Sequence, residues 1–63
     1  MLTKEDIQNY INKNVGLKLT DGYYYEGQIL QVTDSSFVFF DKKKITYVFR
    51  IDTIYRITFL KEV

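Results

Sequence analysis

Three consecutive lysines, Lys42, Lys43 and Lys44, form the only charge cluster in the sequence. Ammonium groups on a hairpin turn can bind the phosphates of a nucleic acid, which gives a salt-dependent contact that is blind to base sequence. A short lysine turn also keeps a small β protein soluble, and this role is the more common one. The cluster is therefore a candidate phosphate contact with a structural alternative.

Three consecutive tyrosines, Tyr23, Tyr24 and Tyr25, form a second group with recognisable binding chemistry. Alternate residues of a strand point to opposite faces, so Tyr24 is expected opposite Tyr23 and Tyr25. Tyrosine stacks on bases and is also common in protein interfaces. For Tyr25 we favour a simpler role, as a core ring of a β-rich fold.

Composition excludes several kinds of chemistry. The 63-residue chain has no cysteine and no histidine, which removes disulfides, thiolate metal sites, the usual zinc ligands and the commonest general base. Its eight acidic residues are scattered without the spacing of a calcium loop. No nucleophile–base pair and no phosphate-cradling glycine loop is present, so we expect no enzymatic activity, no metal and no cofactor.

Charge and hydropathy limit the location and the partners. The net charge is only +1, so no overall basic field indicates nucleic acid. The longest apolar run is too short to cross a membrane and no signal-peptide pattern opens the sequence, so we expect a cytoplasmic protein without a membrane partner. Hydrophobic residues make up 46% of the chain, more than so small a monomer can bury, which indicates a neighbouring subunit.

The pattern predicts a mainly β fold in a single domain over residues 1–63. An N-terminal helix is expected within residues 1–14, about three turns long. Thr3 is a good N-cap with Asp6 in a capping box, and Ile7, Tyr10 and Ile11 follow at helical spacing. Five short antiparallel strands are then expected over residues 15–60, at 15–20, 23–33, 37–40, 45–50 and 53–60.

Two glycines punctuate the predicted strands. Asp21-Gly22 predicts a type I′ hairpin turn, which needs positive φ at both central residues. Gly27, inside the second strand, predicts a bulge, a sharp bend or the close approach of another backbone. A strongly bent second strand is what a very small closed β-barrel requires. The last three strands are apolar on both sides, so their outer face should be covered by the helix or by another subunit.

The glycine pattern resembles the first motif of the Sm-like (LSm) family, which includes the bacterial Hfq proteins. That motif has a glycine turn, an apolar or aromatic residue, a second glycine and an apolar residue, here Gly22, Tyr25, Gly27 and Ile29. Further similar segments are Gly27-Gln28-Ile29, Phe37-Val38, Val48-Phe49-Arg50 and Ile54 with Ile57. The resemblance implies a five-stranded, strongly bent antiparallel small barrel, which is an SH3-like barrel.

The base-reading part of the family pattern matches poorly. Thr33 and Phe37 occupy the positions of the family's aspartate and asparagine, and Asp34 is displaced by one. Arg50-Ile51 stands where the family has Arg-Gly, or Lys-His in Hfq. The family nonetheless implies a ring of six or seven identical subunits, in which strand four of one pairs with strand five of the next. In such rings the loop between strands two and three and the loop between strands four and five converge at the pore. These loops bind single-stranded, often uridine-rich, RNA.

The resemblance implies a set of RNA-binding candidates, each of which has an alternative, purely structural role. Arg50 would present a guanidinium to phosphates or bases, or is a surface arginine paired with Asp52. Ser35, Ser36 and Phe37, with Asp34, would form a base pocket, or the serines only make a turn and Phe37 fills the core.

Gln8 lies on a polar helix stripe that would face uridine-rich RNA, or simply faces solvent.

Two alternatives to the RNA-binding ring stay open. The first is a small-barrel protein-interaction module or scaffold that does not bind RNA. The second is a monomeric SH3-like accessory domain of a larger assembly.

Overall fold

A computed structural model describes residues 2–60 and contains one short helix and one five-stranded antiparallel sheet. This confirms the mainly β class; residue 1 and residues 61–63 of the predicted domain lie outside the described residues. The elements are α1 (Lys4–Gln8), β1 (Asn14–Leu19), β2 (Tyr24–Val32), β3 (Ser36–Asp41), β4 (Thr46–Arg50), a 3₁₀ turn (Ile51–Thr53) and β5 (Ile54–Phe59).

The strand order is β4-β3-β2-β1-β5. The first part of β2 pairs with β1 and its later part with β3, and the two pairings overlap at Gly27 and Gln28. Within residues 2–60, β4 and β5 lie at the two edges with no strand on their outer sides. The sheet is therefore open in the single chain, and closure into a barrel stays a prediction.

Gly27 allows β3 to lie close against β2. It is the register partner of Asp41, and a Cβ at position 27 would lie 2.6 Å from the Asp41 Cα and collide with the Phe40 carbonyl oxygen. Close approach of another backbone, one of the three predicted reasons for this glycine, is therefore confirmed. The irregularity in the β2–β3 register lies further along, between Ile29 and Gln31.

The β1–β2 connection differs from the predicted type I′ turn. The Leu19 N–H donates to the Tyr23 carbonyl at 2.9 Å, and the Gly22 N–H donates to the Leu19 carbonyl at 3.0 Å. These bonds enclose a three-residue loop in which Gly22 alone has positive φ, at 98°. The Asp21 Oδ1 accepts a bond from the Tyr23 N–H at 3.0 Å, and this side-chain bond stabilises the longer loop.

The helix has the predicted start but is shorter than predicted. Thr3 and Asp6 form the reciprocal capping box, yet α1 ends at Gln8 and Asn14 already belongs to β1. Asn12 adopts left-handed backbone geometry, with φ at 64°, and its N–H donates to the Ile29 carbonyl at 2.8 Å. A hydrogen bond to the sheet thus replaces the later helical turns. No helix in residues 2–60 is long and apolar enough to cross a bilayer.

The core lies on one face of the sheet, called here the inner face. Alternation along β1 buries Val15, Leu17 and Leu19. The remaining buried hydrophobic residues of the described chain are Ile7, Ile29, Phe37, Phe39 and Ile51. Since Ile7 joins this cluster, α1 docks on the core side and leaves the opposite, outer face uncovered at Val48, which is 71% exposed.

Candidate nucleic-acid interface

The predicted site residues on the strands separate into two groups at opposite ends of β3. Residues 33–36, with 50–52, form one group, called the loop end. Residues 41–45 form the other, called the turn end. Because β3 has six residues, the two ends lie roughly 17 Å apart at about 3.3 Å per residue. The sequence candidates therefore do not form one continuous site on a single chain.

The loop end brings the predicted serines next to Arg50. Ser36 is the direct register partner of Arg50, and the Ile51 N–H donates to the Ser35 carbonyl at 2.9 Å. The Thr33 Oγ1 accepts from the Ser36 N–H and donates to the Ser36 carbonyl, both at 3.1 Å. The β2–β3 loop and the end of β4 are thus held together by backbone bonds, with Ser35 and Arg50 exposed.

Arg50 already has an acidic partner. Its Nη2 lies 2.8 Å from the Asp52 Oδ2, and the arginine side chain is 73% exposed. The structural alternative for this residue is therefore present in the fold. An ion pair in such contact with water contributes only about 0–1 kcal/mol, so a phosphate can replace Asp52 at small cost. Among the predicted contacts, Arg50 keeps both exposure and suitable chemistry.

Phe37 lies in the core and cannot form part of an exposed base pocket. Its side chain is 1% exposed, and its ring centroid lies 5.7 Å from that of Phe49, its register partner on β4. The reason is the alternation of β3, which directs Phe37 and Phe39 to the inner face. The core alternative for Phe37 is confirmed, and stacking would have to come from another side chain.

An ion pair joins Asp34, in the loop end, to the helix that carries Gln8. The Lys4 Nζ lies 3.2 Å from the Asp34 Oδ1, which ties the start of α1 to the β2–β3 loop. Gln8 is exposed and lies four residues further, about 6 Å along the helix axis. The pairing lowers the positive charge that Lys4 offers to a ligand, and it leaves Gln8 accessible.

The turn end is organised by Asp41, a residue that the sequence analysis passed over. Asp41 is 5% exposed, and its Oδ1 accepts bonds from the N–H groups of Lys43 and Ile45 at 2.9 and 3.0 Å. Lys44 adopts left-handed geometry, with φ at 67°. An aspartate at the start of a polar turn is a recognisable signal for this side-chain capping.

One lysine of the cluster forms an ion pair with a carboxylate. The Lys42 Nζ lies 2.8 Å from the Glu26 Oε1. Their mutual hydrogen bond raises the pKa of Lys42 and lowers the pKa of Glu26. The Tyr24 hydroxyl donates to the Glu26 Oε2 at 3.1 Å, and desolvation, followed by this bond, raises the pKa of Tyr24. The cluster therefore offers Lys43 and Lys44 to a ligand more freely than Lys42.

The consecutive tyrosines divide between the two faces of the sheet. Tyr25 packs against Phe39, Tyr47 and Phe49, with centroid distances of 6.4, 5.1 and 5.4 Å. The predicted core role of Tyr25 is thus confirmed. Tyr24 is 51% exposed. A cleft of about 520 Å³ lies between residues 23–26 and the turn end. The sequence does not predict this cleft, because its walls come from two different hairpins.

Residues 2–60 hold no group of three or more aspartate, glutamate, histidine or cysteine residues that could bind a metal ion. Comparison with protein-family models, with curated proteins and with solved structures gave no match in any of the three. The Sm-like resemblance therefore rests on the residues quoted above and enters the functional argument as a proposal.

Proposed function

We propose that this protein is a non-catalytic, Sm-like RNA-binding protein that assembles into a ring of identical subunits and binds single-stranded RNA. The observation that carries the proposal is the strand order, which leaves β4 and β5 as the two open edges of the described sheet. These are the strands that, by the Sm-like resemblance, pair between neighbouring subunits. Pairing of this kind would extend the sheet around a closed ring.

The composition of the two edges supports this pairing. Neither β4 nor β5 contains an acidic residue, a lysine or a proline, and each carries a single arginine, so the edges have few of the features that keep exposed strands apart. On β4, Tyr47 and Phe49 are half-buried on the inner side; on β5, Ile57 is half-buried and Phe59 is 59% exposed. A neighbouring β4 against β5 would join these apolar side chains into one inner layer.

The loop end supports the RNA part of the proposal. Ser35 and Ser36 supply hydroxyl groups that can bond a pyrimidine edge, and Arg50 supplies a guanidinium that can stack on a base and donate hydrogen bonds. Each subunit would contribute one such cluster beside its β4 edge. Since Phe37 is buried, base stacking falls to Arg50 in this proposal.

Two substitutions of opposite effect test the site. Arg50→Ala should weaken binding of labelled oligo-U at least about tenfold, because charge-assisted bonds contribute about 1.5–3 kcal/mol each. Asp52→Asn should strengthen the same binding, since it removes the negative charge that lies 2.8 Å from the guanidinium. Circular dichroism and solution mass verify that both variants keep the fold and assembly. Unchanged affinity in both variants would remove Arg50 from the site.

A protein-interaction module is the second candidate, and specific observations favour it. Arg50 and Lys42 are each paired with a carboxylate, so the basic surface is weaker than the sequence suggests. Tyr23 and Val48 are 65% and 71% exposed and offer apolar contacts to a partner protein. An assembled ring that binds neither oligo-U nor oligo-A at low salt would favour this second function.

A further inference from the structure

A row of three side chains crosses the outer face of the sheet. Lys18 of β1 is the register partner of Tyr24 of β2 on one side and of Arg56 of β5 on the other. Lys18 and Arg56 therefore place two positive charges directly opposite each other on antiparallel strands. Like charges in this arrangement are destabilising, so the pair needs an explanation.

No carboxylate in residues 2–60 balances this pair. The ion pairs of the described chain use Lys4, Lys42 and Arg50. Glu26, which lies along the same outer face, is bound to Lys42 and to the Tyr24 hydroxyl. The Arg56 guanidinium carbon instead lies 5.9 Å from the centroid of the Tyr55 ring. Lys18 and Arg56 thus line the same recess without an ion-pair partner among residues 2–60.

The surface beside the two cations is recessed. Gly16, the next outward-facing residue of β1, is covered by the Tyr24 side chain, since a Cβ there would collide with the Tyr24 hydroxyl and lie 3.1 Å from the Thr58 Oγ1. The recess has a volume of about 410 Å³ and is lined by Lys18, Tyr24, Tyr55, Arg56 and Thr58. We call it the outer-face recess.

We propose that the outer-face recess binds a phosphate group. Arg56 can donate a two-pronged hydrogen bond to phosphate oxygens, Lys18 supplies a second positive charge, and the Thr58 hydroxyl supplies a neutral donor. A bound anion would also remove the repulsion between Lys18 and Arg56. The exposed rings of Tyr24 and Tyr55 flank the recess and suit a phosphorylated ligand that carries a planar ring, which is the chemistry of a nucleotide.

The recess is separate from the loop end. Lys18 and Arg56 lie on β1 and β5, whereas Arg50 lies on β4 at the opposite edge of the sheet. The phosphate proposal does not require ring assembly or binding of RNA at Arg50. Its failure and the failure of the proposed function are therefore distinguishable by using inorganic phosphate as the first probe.

The direct test is an NMR titration of the full chain with inorganic phosphate, with chloride at matched ionic strength as control. We expect saturable shifts of the Lys18, Arg56 and Thr58 amides. Arg56→Gln should weaken the apparent affinity about tenfold, from the loss of one charge-assisted pair. Lys13→Gln, a control that removes one positive charge from an exposed residue outside the recess lining, should leave it unchanged. Equal weakening by both variants, or shifts spread over residues 42–44, would overturn the proposal.

The melting temperature of Lys18→Gln, measured in chloride and in phosphate, gives a second test. Lys18→Gln should raise the melting temperature in chloride, because it removes the like-charge repulsion, and should abolish the increase that phosphate gives to the natural chain. A Lys18→Gln protein that melts lower in chloride and is still stabilised by phosphate would contradict the proposal.

Two further probes identify the source of the phosphate. Uridine 5′-monophosphate should shift the recess residues while uridine does not, if the ligand is a free nucleotide. Oligo-U without terminal phosphates should shift the same residues, if the ligand is an RNA backbone. Either response supports the phosphate site, whereas uridine and its monophosphate acting alike, with no response to oligo-U, would overturn it.

Discussion

Gly27→Ala is the substitution whose effect the structure determines most sharply. The added Cβ would lie 2.6 Å from the Asp41 Cα and collide with the Phe40 carbonyl oxygen. Both are backbone atoms of a paired strand, so no side-chain rotation relieves the contact. Because β2 pairs with β1 and β3 at this point, a shift disturbs both pairings. We expect a loss of about 3 kcal/mol, which approaches the whole stability of about 3–5 kcal/mol typical of so small a domain.

The other two glycines provide matched controls. At Gly22 nothing lies within 4 Å of an added Cβ, but φ is +98°, so alanine should cost about 1–2 kcal/mol of backbone strain. At Gly16 the added Cβ meets the Tyr24 hydroxyl, the far end of a movable side chain, so alanine should change stability by less than about 1 kcal/mol. Urea unfolding followed by circular dichroism measures the series. A Gly27→Ala protein as stable as Gly22→Ala would refute the close-approach argument.

Three further predictions concern capping and the core. Asp41→Ala should lower the free energy of unfolding by about 1–3 kcal/mol in urea, because two backbone N–H groups lose their acceptor. Phe37→Leu should lower it by about 1 kcal/mol and leave oligo-U affinity unchanged in fluorescence titrations, whereas a selective loss of affinity would return Phe37 to the site. Hydrogen bonds from Thr3 lower the pKa of Asp6, so its carboxylate stabilises the fold at neutral pH. This contribution is lost as pH falls through the lowered pKa, and the difference in melting temperature between the natural chain and Asp6→Asn should shrink in acid.

Local features of the fold were predictable from the sequence. The capping box of Thr3 and Asp6 depends on residues three apart, and the burial of Val15 and Leu17 follows from alternation within one strand. The need for glycine at position 27 also followed from its place in a β pattern. These signals act over a few residues, so a single sequence contains them.

Features set by contacts between distant segments were not predictable. The helix ends early because Asn12 bonds the carbonyl of Ile29, which belongs to another element. Lys42 is neutralised by Glu26, sixteen residues away in sequence. The opposition of Lys18 and Arg56 depends on the β1–β5 register, which no local pattern specifies. The candidate site was therefore identified by residue type, while its division between two ends of β3 required the structure.

The measurement that tests the central proposal most directly combines solution mass with RNA binding on one sample. The mass of the purified protein is measured by native mass spectrometry. The same sample is titrated with labelled oligo-U and oligo-A at two salt concentrations. We predict a mass of six or seven subunits, with oligo-U binding that weakens as salt rises and is reduced by Arg50→Ala. A monomer that binds neither oligonucleotide at low salt would contradict both the edge pairing of β4 with β5 and the RNA site.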